Sequence, residues 1–236
     1  MDDSVEDAVR TLGALRGTDG VHEPFLRGLT VDGASVATLG SPFGSETVSS
    51  SDALGQRLDE LQFDLGEGPC WDSLAALTPV IEPDIRSRPR RRWPAFSEAI
   101  QELDLGAMFV FPLSIGPLRL GAVDLYTLRP HELSDAEQGR AQVMADLVSK
   151  HVLRQALVEA GVDPDEERRE SRYTRRAVHQ ATGMVIAQLE TTPEDAHLLL
   201  QGHAFATGRS MREVADEVLS GALSFASTEQ GIEEAR

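Results

Sequence analysis

Apolar residues recur every three or four positions in three consecutive stretches toward the C-terminal end of the chain, and this spacing predicts three short amphipathic helices. The first stretch carries Tyr173, Ala177, Ala181, Met184, Val185 and Leu189. The second carries Ala196, Leu199, Leu200 and Ala204, and the third carries Met211, Val214, Ala215, Val218 and Leu219. Because short helices are stabilised mainly by tertiary packing, the pattern predicts a compact three-helix bundle over residues 173–226.

Both breaks between these helices have the chemistry of a helix start. Thr192 is a candidate N-cap, Pro193 suits the first helical position, and Asp195 follows the cap by three residues. At the second break, Ser210 and Glu213 have the spacing of a capping box, in which each side chain satisfies a backbone N–H of the first turn. The sequence therefore predicts that the second helix begins near 193 and the third near 211.

The chain before residue 134 mixes helical and strand patterns. Helices are predicted over 2–16, over a short segment ending at 29, over 52–61, directly after the turn at 65–71, and over 93–103. Strands are predicted over 34–39, 46–50, 80–81, 107–113 and 120–128. In the first helix, Val5, Val9, Leu12 and Leu15 should share the apolar side. Ser114 to Pro117 suits a hairpin connection, so the region is predicted to be an α+β domain with antiparallel strands.

A long helical segment joins the two regions. Ser134 and Glu137 again have capping-box spacing, and the helical pattern then continues to about residue 160. After a break at 161–164, a second helix is predicted over 165–189. Its first turns are almost wholly charged, and a helix that is polar on all sides gains little from packing. We interpret this segment as a signalling helix paired in a homodimer; the alternative is a flexible charged linker.

The charge balance is strongly acidic. The 236 residues include 22 Lys+Arg and 39 Asp+Glu, which gives a formal net charge of −17. This balance is unfavourable for nucleic-acid binding, so any such binding must come from a local basic patch. Two arginine clusters are present, at 86–92 and at 168–176, and Lys150 is the only lysine.

Composition also limits the class of protein. A single cysteine, Cys70, excludes an intramolecular disulfide framework and a cysteine-rich zinc site. The N-terminal segment lacks the basic-then-apolar pattern of a signal peptide. The most apolar run, residues 106–123, is interrupted by Pro112, Pro117 and Arg119, so it is not expected to span a bilayer. We therefore expect a cytoplasmic protein with no membrane partner.

The C-terminal stretch resembles a known family. The landmarks are Arg176, the run from Ala181 to Met184, the run from Glu194 to Ala196, and Ser210 followed by Val214, Ala215 and Val218. Together they resemble an ANTAR domain, a three-helix RNA-binding module of transcription antitermination usually attached to a sensor. The resemblance implies RNA hairpin loops in nascent transcripts as the target. Many ANTAR domains carry a lysine where this chain has Thr182. The threonine removes a possible phosphate contact, and an alternative role for Thr182 to Val185 is packing against the neighbouring helix.

The N-terminal part resembles a second family. The segments that carry this likeness are 33–36, 61–70, 92–94, 112–113 and 120–126. They resemble GAF domains, and more narrowly those fused to ANTAR domains in actinobacterial regulators. The resemblance implies a central antiparallel sheet flanked by helices that often holds a small ligand. The expected fold is therefore α+β, with a helical segment over 1–21, a GAF-like domain over 22–150, a connecting segment over 151–172, the ANTAR bundle over 173–226 and a tail over 227–236.

Candidate RNA-binding residues are the cations on the first and third helices of the bundle. They are Arg172, Arg175, Arg176, His179, Arg209 and Arg212. The four on the first helix lie three or four positions apart and share a face. Arginine binds phosphate through two N–H groups and stacks on splayed bases, and the start of the third helix attracts phosphate through its dipole. The alternative is that these side chains pair with neighbouring carboxylates on a solvated surface.

No catalytic set is evident, so an enzyme is the least expected class. Cys70 is a candidate redox or nitric-oxide-sensing thiol, or else a small buried hydrophobe, because no neighbouring positive charge lowers its pKa. His22, His131 and His151 lack the spacing of metal ligands, so no metal site is predicted. Cys70, Trp71, Trp93, Phe109 and Phe111 are candidates to line a ligand pocket, although the same residues would build an ordinary core. The sequence does not identify a cofactor.

The sequence predicts a regulator in which the GAF-like domain controls RNA binding by a dimeric ANTAR bundle. One alternative is a signalling regulator whose bundle contacts a partner protein. Another is a DNA-binding helix-turn-helix, suggested by the tight turn at 208–210. The third helix, however, offers only Arg212 as a strong base-reading side chain.

Overall fold

The structure is a computed structural model that describes residues 3–40, 43–87, 92–160, 172–228 and 231–235. Side chains are described for all of these except 172–176, 205, 227–228 and 231–235. The chain divides into two compact units. The first comprises residues 1–114 and 120–151, and the second comprises residues 115–119 and 152–236.

Six helices precede the C-terminal bundle within the described residues. They are α1 (Asp3–Ala14), α2 (Glu23–Gly28), α3 (Ala53–Leu65), α4 (Pro69–Ala76), α5 (Pro94–Ala99) and α6 (Asp135–Glu159). A 3₁₀ turn, Ile100–Glu102, extends α5, as the predicted helix over 93–103 required. Each predicted helix in this region is therefore present, with small differences at the ends.

The buried side of α1 differs from the predicted one. Val5 and Leu12 are buried as expected, but Val9 is 47% exposed and Ala8 is fully buried in its place. The prediction for Val9 was therefore wrong. A spacing of three and then four places positions 5, 8 and 12 on one face, and the small side chain of Ala8 permits close packing there.

Five strands form an antiparallel sheet. They are β1 (Gly33–Thr38), β2 (Glu46–Ser50), β3 (Val80–Glu82), β4 (Ala107–Ile115) and β5 (Leu118–Thr127), in the order β2-β1-β5-β4-β3. β4 and β5 are longer than predicted because the turn between them shrinks to two residues, Gly116 and Pro117, with Gly116 at a φ of 56°. Only glycine adopts this left-handed conformation without strain, so Gly116 allows the tight turn.

The sheet carries a hydrophobic core on the face covered by α3, α4 and α5. Met108 and Val110 of β4 pack there with Leu58 of α3, Leu74 of α4 and Phe96 of α5. Nearly every residue of β4 and β5 is buried, on both faces of the sheet. These two strands thus form an interior layer, which explains why they read as nearly continuous apolar runs rather than as alternating ones.

Side-chain caps fix the starts of α3 and α6. Asp52 accepts a hydrogen bond from the Gly55 N–H at 2.9 Å, and the hydroxyl of Tyr126 donates to the same carboxylate at 2.5 Å. Ser134 and Glu137 form the predicted capping box at α6, and these hydrogen bonds lower the pKa of Glu137 to about 2. Both helices therefore begin where the sequence indicated.

The C-terminal bundle contains α7 (Arg172–Leu189), α8 (Pro193–Thr207) and α9 (Met211–Ser220). The Thr192 hydroxyl accepts the Asp195 N–H at 3.1 Å, and Ser210 and Glu213 complete a capping box. The predicted breaks and caps are thus confirmed. The part of the predicted second helix that precedes residue 172 lies outside the described residues.

A β-hairpin follows the bundle, although the sequence analysis expected only a tail there. It pairs β6 (Ser224–Thr228) with β7 (Gly231–Ala235) in antiparallel register. The Phe225 side chain is buried edge-on against the His203 ring, and the Phe225 N–H donates to the side-chain oxygen of Gln188 at 3.0 Å. The hairpin is therefore attached to both α7 and α8.

A glycine on the central strand provides a test of the sheet. A Cβ atom at Gly121 would lie 1.8 Å from the carbonyl oxygen of Ala37 on β1. We expect Gly121→Ala to destabilise the protein by about 3 kcal/mol, because the paired backbones must separate. Gly139→Ala is the matched control, since a Cβ at this helical glycine has no neighbour within 4 Å. The control should stabilise by about 1 kcal/mol. Equal effects of the two changes in urea unfolding would contradict the β1–β5 pairing.

Candidate functional site

The predicted RNA-binding residues of the first bundle helix all lie on α7. The backbone places Arg172, Arg175 and Arg176 in its first two turns, and their side chains lie outside the described residues. His179 follows on the same helix and is exposed. The helix therefore arranges four predicted cationic positions in sequence along one side.

An exposed face of α7 can be defined from the helical repeat. At 3.6 residues per turn, positions 172, 176, 179, 180 and 183 fall within an arc of about 100°, and Arg175 lies at its edge. Of the members with described side chains, His179 and Gln180 are exposed, as is the backbone position Gly183. Ala177, Ala181 and Val185 lie on the opposite side and are buried. We call positions 172, 176, 179, 180 and 183 the α7 face.

The α7 face differs in charge from the rest of the bundle. The described part of α7 contains no aspartate or glutamate between Arg172 and Leu189, although Glu166, Glu167 and Glu170 precede it in the sequence. By contrast, α8 begins with Glu194 and Asp195, and α9 carries Glu213, Asp216 and Glu217. In a chain with 39 acidic residues, an acid-free helix that carries several cations is a local exception to the overall charge. A polyanion would meet the least electrostatic repulsion there.

The two arginines predicted on the third helix are engaged with carboxylates. Arg209 contacts Glu217 through both terminal nitrogens, at 2.8 and 2.6 Å. This hydrogen bonding lowers the pKa of the Glu217 carboxyl. Arg212 lies 3.8 Å from Asp216 on the exposed surface of α9. The predicted ion-pair alternative therefore describes these two residues, and the structure does not place them on the α7 face.

Thr182 occupies the side of α7 that faces its neighbours. It is 8% exposed, and its hydroxyl donates to the Val178 carbonyl at 2.8 Å. Val185, one turn further on, is fully buried. A side chain at position 182 therefore contributes to packing within the bundle, which was the alternative for this segment.

The five residues considered for a ligand pocket are divided between the two faces of the sheet. Cys70 and Trp93 belong to the core beneath α3 and α4, and Trp71 packs against that core. Phe109 and Phe111 alternate along β4 with the core residues of that face, so their side chains point to the opposite face. The structure therefore does not bring all five together around one cavity.

Cys70 is a buried core residue. It is 2% exposed at the start of α4, and its backbone N–H donates to the Gln62 side-chain oxygen at 2.9 Å. Burial, together with the nearby carboxyl groups of Asp124 and Asp59, raises the pKa of the thiol well above its usual range. The environment thus favours the unreactive thiol rather than a thiolate.

The three histidines considered as ligands have separate surroundings. His22 Nδ1 lies 2.6 Å from the Ser49 hydroxyl, and His151 Nε2 lies 2.6 Å from the Gly17 carbonyl oxygen. His131 stacks edge-on against Phe109. Among the residues that the structure describes, no group of three His, Cys, Asp or Glu side chains is arranged to hold a metal ion.

A polar cluster that sequence reasoning missed lies within the core of the first unit. Its first carboxyl group is Asp59 of α3, which is 2% exposed. The hydroxyls of Ser35 and Thr47, on β1 and β2, each donate to one of its oxygens at 2.8 Å. Desolvation raises the pKa of Asp59 to about 7.

The second carboxyl group of the cluster is Asp124 of β5, which is also 2% exposed. The Gln62 amide donates to Oδ2 of Asp124, whereas Oδ1 has no hydrogen-bond partner. Burial, and then the charge of Asp59, raise the pKa of Asp124 well above its ordinary value. One signal was present in the sequence, because Asp124 is the one charged residue in the apolar run from Leu120 to Tyr126.

The hydropathy of the described helices was also compared with that of membrane-spanning segments. None of the helices in the described ranges has both the length and the apolar composition required to cross a bilayer.

Comparison with known proteins gives results for both units. A family model of the ANTAR domain matches residues 166–219. The GAF domain of a phosphoenolpyruvate-protein phosphotransferase from Coxiella burnetii has a TM-score of 0.54 at 13% identity, covering 67% of this chain and 95% of that one. The corresponding GAF domain from Acinetobacter gives 0.52 at 13% identity, covering 66% and 94%. A cyanobacteriochrome GAF domain gives 0.50 at 18% identity, covering 62% and 95%. No curated protein matches the chain significantly by sequence.

These matches decide the architecture. The chain combines a GAF fold with an ANTAR domain. The predicted α+β fold, with an antiparallel sheet and a C-terminal helical bundle, is confirmed. The α7 face lies in the ANTAR domain, and the Asp59–Asp124 cluster lies in the GAF domain; residues 166–171 of the ANTAR match lie outside the described residues.

The burial of Cys70 in the GAF core predicts its reactivity. We expect the native protein to resist labelling by a water-soluble aromatic disulfide at mildly alkaline pH, because the thiol is both buried and protonated. After unfolding in guanidinium the same thiol should react rapidly and to completion, which is the internal control. Rapid stoichiometric labelling of the native protein would instead favour a sensor thiol.

Proposed function

We propose that this protein is a transcription antitermination regulator, in which the GAF domain controls RNA binding by the ANTAR domain. The proposed target is the loop of an RNA hairpin in a nascent transcript. The observation that carries the proposal is the acid-free α7 face within the matched ANTAR region. Both domain types are regulatory rather than catalytic kinds, so the activity proposed is binding and not turnover.

The electrostatics of the chain limit how RNA would bind. With a net charge of −17, the protein as a whole repels a polyanion, and attraction depends on a local surface. In this proposal the cations of the α7 face contact phosphates, and the exposed His179 and Gln180 contact bases. Single-stranded loops suit such a surface, because their unstacked bases offer free edges and ring faces. Arg209 and Arg212 would join only by leaving their carboxylate partners.

The proposal includes a homodimer that engages two hairpin loops. The connecting segment between the domains, predicted over 151–172, would carry the signal, with the GAF domain over 22–150 and the ANTAR bundle over 173–226. A small molecule is one candidate signal for the GAF domain. The protein is expected to act in the cytoplasm, where transcripts are made.

A second candidate is a regulator whose ANTAR domain contacts a partner protein instead of RNA. Two observations favour it: Thr182 is buried, and Arg209 and Arg212 are paired with Glu217 and Asp216. Direct RNA binding separates the two candidates.

The first test adds one negative charge to the α7 face. Gln180→Glu places an acid one turn from Arg176, where it neutralises a cation and repels phosphate. We expect affinity for a two-hairpin RNA to fall about tenfold at low salt, measured by fluorescence anisotropy. Gln56→Glu is the matched control, because Gln56 is an exposed glutamine on α3 of the GAF domain, and its affinity should equal that of the wild type.

A salt series tests the phosphate contacts separately. The Arg175→Ala/Arg176→Ala double variant should weaken binding and lower the slope of log affinity against log salt by about 1.4, because single strands release about 0.7 counterion per contact. Duplex DNA of the same length serves as the competitor. Absence of RNA binding by the wild-type protein at low salt, with and without candidate ligands, would favour the partner-protein function.

A further inference from the structure

The GAF core contains two acidic side chains without a positive partner. Asp59 and Asp124 are each 2% exposed, and every hydrogen bond they accept comes from a neutral group. The donors are Ser35, Thr47 and Gln62. The Ser35 hydroxyl donates to Asp59, and the register of β1 with β5 places Ser35 opposite Asp124, so Ser35 adjoins both acids. Two ionised carboxylates buried in one such site cannot both be stable in a medium of low dielectric constant without a compensating charge.

One atom in the cluster lacks a hydrogen-bond partner. Oδ1 of Asp124 is buried and accepts no hydrogen bond, although its carboxyl group lies on a central strand. Buried polar atoms are nearly always satisfied, so an unsatisfied carboxylate oxygen in the core indicates a proton or a donor that completes the site. A proton fits best, since it removes one of the two charges and needs no space.

We propose that the core of the GAF domain is a proton-binding site in which Asp59 and Asp124 hold one proton between them near neutral pH. The ligand of the site is H⁺, and the domain responds to proton activity. The regulatory consequence for the ANTAR domain rests on the function proposed above; proton binding itself does not.

The surroundings of the pair reinforce proton retention. On α3, Glu60 follows Asp59 and adds negative charge. On α4, the buried Cys70 thiol supplies no positive charge, and the two carboxyl groups raise its pKa. β1 and β2 contribute the hydroxyls of Ser35 and Thr47, which carry no charge. Among the described residues, no arginine, lysine or histidine is hydrogen-bonded to the pair or shifts its titration.

A further residue on the same sheet face is already engaged elsewhere. Tyr126 lies two residues beyond Asp124, and its hydroxyl donates to Asp52 at 2.5 Å. The hydroxyl is therefore committed to the cap of α3 rather than to the acid pair.

Loss of the proton would act on specific contacts. At alkaline pH two charges would face each other across the junction of α3 with β5. The same contacts also attach α3 and α4 to the sheet. The Gln62 side chain on α3 donates to Asp124 on β5 and accepts the backbone N–H of Cys70 on α4. Deprotonation should therefore loosen α3 and α4 first.

The sign of the effect on stability follows from linkage. An unfolded aspartate releases its proton near pH 3.9, whereas the folded state keeps a proton to about pH 7. Between these values the folded protein binds more protons than the unfolded chain, so stability falls as pH rises. His22 has a lowered pKa and acts in the opposite direction near the same pH, so the informative quantity is the difference between wild type and variant.

The first measurement uses the wild-type protein. Carbon-13 NMR of the aspartate carboxyl groups, in full-length protein, should show one resonance of the pair still protonated at about pH 6, where exposed aspartates have already ionised. A pair that is fully ionised at that pH would overturn the proposal. So would an ordered cation found at Oδ1 of Asp124.

The second measurement is chemical unfolding over the range from about pH 5 to about pH 8. Asp124→Asn imitates the neutral acid, so the ratio of unfolding constants, wild type over variant, should rise by up to about tenfold per pH unit until the proton is lost. Asp64→Asn is the matched control, an exposed aspartate on the same helix as Asp59, and its ratio should stay constant. A constant ratio for both Asp124→Asn and Asp59→Asn would overturn the proposal.

A third measurement separates this inference from the proposed function. If the wild type binds RNA, affinity should differ between about pH 6 and about pH 8 by more than in Asp124→Asn, with duplex DNA as the reference for general charge effects. If the protein binds no RNA but holds the shared proton, the proposed function is wrong and the proton site stands. If it binds RNA while both acids are ionised, the proton site is wrong and the proposed function stands.

Discussion

The antiparallel pairing of β1 with β5 is the constraint on which the GAF fold of the first unit depends. β5 is the middle strand of the sheet, and its register with β1 places Gly121 opposite Thr38 and Asp124 opposite Ser35. A slip of one residue would turn every side chain of the strand to the other face. It would remove Asp124 from the reach of Gln62 and place a side chain where only glycine fits. The position of the acid pair is therefore a consequence of strand register.

Charge in this protein is arranged by location rather than by total. The chain is acidic overall, yet the described part of α7 has no carboxylate, and two acids of α9 pair with Arg209 and Arg212. Two further carboxyl groups are buried in the GAF core, away from water. Aspartate and glutamate thus serve as solvated surface residues, as ion-pair partners of arginine, and as titratable groups in the interior. Net charge alone distinguishes none of these roles.

Local chemistry explains which features could be predicted from the sequence. Helix starts were predictable because caps such as Ser210 with Glu213 satisfy backbone groups within a few residues. The buried side of α1 could not be predicted in this way. Ala8 is buried and Val9 is exposed, because tertiary packing decides which side of a helix is covered. Alternate residues of a strand point to opposite faces of the sheet, so Phe109 lies on the face opposite Cys70. Composition does not reveal this separation. Asp124 was overlooked because an aspartate is ordinarily a surface residue, and only the fold shows that it is enclosed.

The hairpin after α9 extends the packed C-terminal unit beyond the end of the ANTAR sequence pattern. The recognisable ANTAR pattern ends at residue 219, but Leu223 and Phe225 beyond it are buried, and Phe225 binds the Gln188 side chain. A gene fusion that joined at the end of the pattern would leave the ring of His203 and the amide of Gln188 without these contacts. The structural unit therefore extends through the hairpin, and its limit is set by packing rather than by the sequence motif.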